Sequence, residues 1–251
     1  MIKKLIRRIL GTKQKTGDTT QPVILTAKEH RIDPKLVSAN AVRVTSTLQQ
    51  AGFKAFLVGG AVRDLLLGVK PKDFDIATNA TPEQVKRLFR RAFIIGKRFQ
   101  IVHVMFGQDL LEVTTFRGAS TEAAPKDEHG RVLRDNTFGE QHEDALRRDF
   151  TINAMYYDPA TQTVLDYHGG MADIRNKTLR IIGVPEARYR EDPVRMLRVV
   201  RFAAKLNFAI DPDTSAPIRV MAPLINNVPA ARVFDEMLKL LMSGSALACL
   251  Q

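Results

Sequence analysis

The stretch FLVGGAVRDLLLGVKPKDFDIAT, residues 56–78, sets the problem that the rest of the chain has to solve. An apolar run ends in Gly59 and Gly60, and the Arg63–Asp64 pair follows. This reads as a buried strand, a turn and a short helix closed at Gly68. DFDIA then reads as a second strand. Side chains at i and i+2 of a strand share a face. Asp73 and Asp75 are therefore expected to project together, with Phe74 and Ile76 turned into the core. Adjacent carboxylates repel, and one has its pKa raised unless a cation sits between them. Mg²⁺ removes that conflict, because it binds a few carboxylates together with substrate phosphates. The two glycines let the backbone approach a phosphate and aim N–H groups at it. The start of the following helix favours the same anion, and Arg63 is expected within reach of a triphosphate. An ordinary tight turn and a solvated strand edge account for each feature taken singly. Together they place phosphates on the glycines and metal on the aspartates.

Outward from this stretch, Asp33 and Pro34 read as an N-cap and first helical residue, opening a helix that runs to about Ala51 and stops at Gly52. Thr81, Pro82 and Gln84 form a capping box for a helix to about Arg90. AFIIG, QIVHVMF and LLEVTTF are strand candidates rich in β-branched and aromatic residues. The last of these carries Glu112, which alternation can bring to the side of the aspartates and which would complete a carboxylate trio. His103 is a lone histidine in a strand, read as a packing or hydrogen-bonding residue. Residues 118–140 show no periodicity and read as a mobile loop. Beyond 141 the pattern is mostly helical, with one strand pair expected between TVLDYHG and TLRIIG. The chain ends inside what reads as a helix, and further helical material is expected beyond it.

The 251 residues, 45% of them apolar, suffice for a real core. Cys249 is the single cysteine, which excludes a disulfide framework or a cysteine-based zinc site and fits a reducing, cytoplasmic setting. Thirty-eight Lys and Arg against 27 Asp and Glu give a net charge of +11, which points to polyanionic partners. Residues 1–11, MIKKLIRRILG, put Ile and Leu on one helical face and Lys and Arg on the other. That segment could meet an anionic membrane surface, or be a frayed tail. Residues 11–22 read as a linker.

LVGGAVRDLLLG followed by KDFDIAT resembles the head motif of class II nucleotidyltransferases, the family of tRNA CCA-adding enzymes and bacterial poly(A) polymerases. RRDFTINAMYYDP (147–159) resembles the family's second motif, DYHGGMADIRNKTLRIIG its hinge motif, and EDPVRMLRVVRFAAKLNFAI (191–210) its base-reading motif. The resemblance implies an α+β fold. A DNA-polymerase-β-like head with a mixed sheet (30–155) follows a basic extension (1–29) and precedes a hinge and all-helical neck with the start of a body (156–251). It implies Asp73 and Asp75 as the metal-binding catalytic pair. It also offers Asp149, of RRDF, as a third active-site acid in competition with Glu112. Arg147 and Arg148 are candidates to neutralise phosphate, and Asp64, Asn153 and Arg198 to contact the nucleotide; Arg201 and Lys205 continue the basic side of that helix. IIGKRFQIVHVMFG (94–107) resembles the poly(A) branch. The implied activity is template-independent transfer of AMP from ATP to RNA 3′-hydroxyls, with Mg²⁺ as cofactor and a monomer as the working unit. CCA addition to tRNA and a truncated, inactive RNA-binding module are the alternatives.

Asp192 and Arg195 are the family's base-reading pair, and their chemistry makes sense independently. An aspartate accepts and an arginine donates. Adenine and cytosine each present an amino donor beside a ring-nitrogen acceptor, whereas guanine and uracil present the reverse. A buried mismatch costs ~1–3 kcal/mol per unpaired group. The pair admits ATP and CTP and does not separate them. In a continuous helix the two residues would share a face, and an i,i+3 salt bridge is the simpler reading of the spacing alone.

Overall fold

The computed structural model describes residues 20–96, 100–118 and 138–250. The amphipathic segment 1–11, most of the 11–22 linker and most of the 118–140 loop lie outside these residues.

One eight-stranded sheet organises the head. Its strands are β1 (Val23–Leu25), β2 (Ala55–Val58), β3 (Asp75–Thr78), β4 (Ala92–Ile95), β5 (Ile101–Phe106), β6 (Asp109–Thr115), β7 (Met155–Asp158) and β8 (Thr163–Asp166). They lie in the order β1-β8-β7-β2-β3-β6-β5-β4. The β3–β6 pair is parallel and the other neighbours are antiparallel. Alternation explains the two faces. Leu57, Ile76, Val113 and Val102 share one row and are buried. The helices Ala39–Gln50 and Pro82–Leu88 pack against these strands. On the other face Val58, Ala77, Phe116 and Tyr156 form a second core with Ala145, from the helix Gln141–Arg147.

Several elements depart from the sequence expectations. The helix expected from Pro34 to Ala51 is two pieces. A 3₁₀ turn, Pro34–Leu36, ends at extended Val37, and Ser38 caps a new helix by accepting from the Ala41 N–H. The capping box at Thr81 and Gln84 is present, but its helix ends at Leu88. β3 begins at Asp75, so Asp73 precedes the strand.

The chain beyond 156 is not all helical. TVLDYHG and TLRIIG do not pair with each other: β8 hairpins with β7, and Thr178–Leu179 (β9) pairs in parallel with Ala209–Ile210 (β10). The β7–β8 connection closes a short loop, which is entropically cheap. The sheet thus takes strands from both sides of the 30–155 span. Among the described residues no helix is long and apolar enough to cross a membrane.

The neck begins at a tight junction. The Asp166 carboxylate accepts from the backbone N–H groups of His168, Gly170 and Met171 at 3.1, 2.9 and 2.9 Å, capping the helix Gly170–Arg175. That cap draws Gly170 against the 3₁₀ turn Thr151–Asn153. A Cβ on Gly170 would lie 2.3 Å from the Thr151 carbonyl oxygen. Gly170→Ala is therefore expected to destabilise the fold by about 1–3 kcal/mol, the usual cost of overpacking, as read by denaturant unfolding. Unchanged stability would mean that the junction gives way freely.

Candidate active site

The Val58–Asp75 pairing places the end of β2 beside the first residue of β3. At Gly59 the chain turns with φ 76° and ψ −138°, a conformation that L side chains avoid. A Cβ there would sit 3.6 Å from Asp75 Oδ2 and 3.6 Å from Arg148 Nη1. The corner is thus flanked by a carboxylate and a guanidinium, with Gly60 opening the helix Gly60–Leu66.

Burial pushes the Asp75 carboxyl up to about 6, helped by Glu112 and Asp73 and opposed in part by Arg148. Glu112 stands opposite Asp75 on β6, and His103 Nε2 lies 3.6 Å from its Oε1. Asp73 is exposed at the mouth.

Arg148 is held rigidly. Its Nη2 and Nε donate to Asp144 Oδ2 at 2.9 and 3.2 Å, and the Tyr156 hydroxyl donates to the same oxygen at 2.6 Å. Burial works against its charge, but Tyr156 and Asp144 overcome that and hold its pKa above the usual arginine value. A permanent cation therefore stands behind the glycine corner.

Arg63 is buried and its guanidinium is engaged. Nη1 donates to Asn153 Oδ1 at 2.8 Å, and Nε and Nη2 donate to Asp64 Oδ1. It fixes those side chains and, with Gly59 and Gly60, lines the same cleft. Asn153 in turn donates to Asp149 Oδ1 at 3.3 Å, and Arg198 Nε donates to Asp149 Oδ2 at 2.9 Å. Burial alone would raise the Asp149 carboxyl, but Arg198, Asn153 and the Phe150 N–H hold it below the usual carboxylate range. Asp149 is thus committed to Arg198, whereas Glu112 is the acid in register with Asp75. The segment 149–153 is a bend and 3₁₀ turn.

Asp192 lies at the break between the helices Pro185–Glu191 and Val194–Leu206. Pro193 cannot donate into a continuous helix, so Asp192 and Arg195 are not an i,i+3 pair on one helix. Asp192 Oδ2 accepts from Arg232 at 2.9 Å, while Oδ1 is buried with no hydrogen-bond partner. Arg195 Nη1 donates to the Arg188 carbonyl and to Glu191 Oε2. Beside them the Phe202 ring lies under Arg63, Arg198 and Arg201 at 5.3, 5.2 and 4.3 Å.

These parts meet in one cleft of about 600 Å³. Gly59, Gly60, Asp64, Asp73, Asp75, Arg148, Asp149, Asn153, Asp192, Arg195 and Arg198 all line it, and so do Arg201 and Lys205. Eight Lys and Arg against five Asp face it, a balance suited to a polyanion. Several supporting residues escaped the sequence reading: Asp144 and Tyr156 behind Arg148, Glu236 against Arg201, and Arg188, whose Nη2 donates to the carbonyls of Arg147 and Arg148 at 2.8 and 2.7 Å. Arg188 and Glu236 meet partners 41 and 35 positions away, which leaves no local signal, whereas Asp144 stands at i,i+4 to Arg148.

Residues 55–180 match the family of poly(A) polymerase head domains, and residues 207–251 match the family described as a probable RNA- and SrmB-binding site of polymerase A. The chain is 54% identical over 228 residues to Poly(A) polymerase I of Salmonella typhi, covering 88% of this chain and 49% of that protein. It is 39% identical over 204 residues to the CCA-adding enzyme of Lactobacillus helveticus, covering 81% of this chain and 50% of that one. The crystal structure of the Bacillus stearothermophilus CCA-adding enzyme in complex with CTP matches with a TM-score of 0.68 at 40% identity, over 80% of this chain and 47% of that chain. The chain spans about half the length of the curated relatives it matches.

The raised Asp75 carboxyl has a consequence for stability. The native state holds this proton more tightly than the unfolded chain does. The associated stability is full below the ordinary aspartate value of 3.8 and is lost as pH rises through about 6. Asparagine does not titrate. Asp75→Asn is therefore expected to gain on the wild type between pH 4 and 7 in metal-free buffer, reaching about 1 kcal/mol or roughly 2–4 °C in Tm. A gap that stays flat with pH would contradict the charge repulsion assigned to this site.

Proposed function

The chain belongs to the class II nucleotidyltransferase family, and on that premise we propose that it transfers AMP from ATP to RNA 3′-hydroxyls without a template. The observation that carries this reading is the cleft that joins Asp73 and Asp75, the glycine corner and the buried, unpartnered Oδ1 of Asp192.

The donor set suits Mg²⁺. Asp73 and Asp75 offer hard oxygen ligands, and their mutual repulsion, shared with Glu112, is what a cation would relieve. Such an ion takes one or two carboxylates and completes its shell with substrate phosphates. Asp73 and Asp75 would hold Mg²⁺, which would lower the pKa of the attacking hydroxyl and offset charge on the triphosphate and the departing pyrophosphate.

The protein's own groups do the rest. Gly59 and Gly60 leave room for the phosphates, and Arg148 presents a fixed positive charge beside them. Lys205, which also lines the cleft, adds charge at its neck side. Asp192 Oδ1 accepts from the base amino group and Arg195 donates to the adjacent ring nitrogen. Glu112, in register with Asp75, serves as the third acid. Asp149 and Asn153 position Arg198 and Arg63 from below. The working unit is taken as a monomer, and the lone Cys249 is compatible with a reducing cytoplasm. Poly(A) addition is favoured over CCA addition by the higher identity to poly(A) polymerases and by the segment 94–107.

Incubation with Mg²⁺, an oligo(A) primer and each nucleoside triphosphate separates the readings. Long tracts from ATP alone are expected, and Asp73→Ala or Asp75→Ala should lower the rate by about 10³-fold or more, the scale of losing an electrostatic anchor for the transition state. Addition of CTP and then one A to trimmed tRNA, with no tract, would move the assignment to CCA addition. Asp192→Ala should raise the relative use of GTP and UTP, since the group that penalised them is gone.

A further inference from the structure

We propose that the open half of the sheet, running from Glu112 through His103 to Phe93, seats the 3′-terminal nucleotides of the RNA primer. This rests on the polymerase reading above and deepens it.

The nucleotide cleft lies on the Gly59 side of Asp75, among Arg148, Asp192 and Arg195. The primer hydroxyl has to reach the same carboxylates without crossing the space taken by triphosphate and base. The other approach is along the sheet. Directly opposed residues share a face, and the register sets a continuous row: Asp75 beside Glu112, Glu112 beside His103, His103 beside Phe93. Ile95 and Ile101 form a neighbouring row, and Met105 pairs with Leu110 on the other side.

On the β2–β7 half, this face is covered by the second core and the helix Gln141–Arg147. Among the described residues the β6–β4 half is open: Phe93 and Ile95 on the edge strand β4 are 55 and 48% exposed, and Leu110 on β6 is 43% exposed, more apolar surface than one sheet face ordinarily leaves to water. Exposed Arg91 immediately precedes β4. An aromatic, a histidine and aliphatic side chains beside a cation suit single-stranded RNA, whose bases stack on apolar platforms while its backbone needs positive charge. Continuity with the carboxylates singles out the 3′ end as the occupant. Phe93 stands three strand spacings from Asp75, about 14 Å. At ~3.4 Å per stacked nucleotide, it lies under roughly the fourth nucleotide from the end.

The spacing makes the test specific. Binding of 5′-fluorescein oligo(A) of roughly twelve nucleotides, within the span of a single-strand site, is measured by anisotropy for the 251-residue chain and for Phe93→Ala. Extension kinetics are taken in parallel with this primer and with the dinucleotide ApA. Phe93→Ala is expected to weaken oligo(A) binding and raise its KM about 10-fold, the effect of losing one stacking partner. It should leave the KM for ATP, the Tm and ApA extension unchanged, and Phe93→Trp should restore binding. Unchanged oligo(A) binding, or an equal defect with ApA, overturns the proposal. A dimer that Phe93→Ala converts to monomer with RNA binding intact would assign the face to a second copy of the chain and overturn it as well. If the wild type extends no RNA but Phe93→Ala still weakens anisotropy, the docking face stands and the polymerase reading falls.

Discussion

The site depends on one register. Val58 pairs with Asp75, and Asp75 pairs with Glu112 across the parallel step of the sheet. A strand slip of one residue would turn the whole set over to the buried face. The apolar rows under the sheet, with Leu57, Ile76, Val113 and Val102 in line, forbid that slip because each would have to meet water. The hydrophobic core thus fixes which carboxylates face one another and places them against the one corner where a glycine makes room. The repulsion among those acids is a cost that the core sustains.

A second constraint joins head to neck. Arg188 donates to the carbonyls of Arg147 and Arg148, Arg198 to Asp149, and Arg201 to Glu236. Arg63, Arg198 and Arg201 surround the Phe202 ring. Arg198 is paired with Asp149 and Arg201 with Glu236, and removing one partner of such a buried pair is far costlier than its net contribution suggests. Asp192 and Arg195 therefore stand at a set position relative to the glycine corner, as the proposed choice of nucleotide by shape and hydrogen bonding requires. The helix Ala230–Leu241 supports the same edge through Arg232 on Asp192 and Glu236 on Arg201.

Much of this was legible in the sequence because it is local. The glycine turn, the two strands around it, the Thr81 capping box and the burial of Phe74 and Ile76 follow from period and turn chemistry within a few residues. Glu112 could be placed beside Asp75 only as one candidate, since the choice between it and Asp149 depends on strand order. Asp192 and Arg195 were legible as a pair but not as residues on two helices, although Pro193 between them is a breaker signal. The β7–β8 hairpin was missed because β7 is only four residues long and TVLDYHG was assigned a different partner. Arg188 and Glu236 gave no local signal because their partners lie far away in the chain, whereas Asp144 at i,i+4 to Arg148 was a legible spacing that went unread.

The central claim is that burial, together with Glu112 and Asp73, disfavours ionisation of Asp75, a cost that a cation beside the glycine corner would relieve. Its most direct test is a ¹³C titration of the Asp75 carboxyl, without metal and with Mg²⁺ plus a non-hydrolysable ATP analogue. The account predicts a midpoint near 6 in the free protein that drops by more than a unit when both ligands are present. A midpoint near the ordinary aspartate value, indifferent to Mg²⁺ and nucleotide, would contradict it.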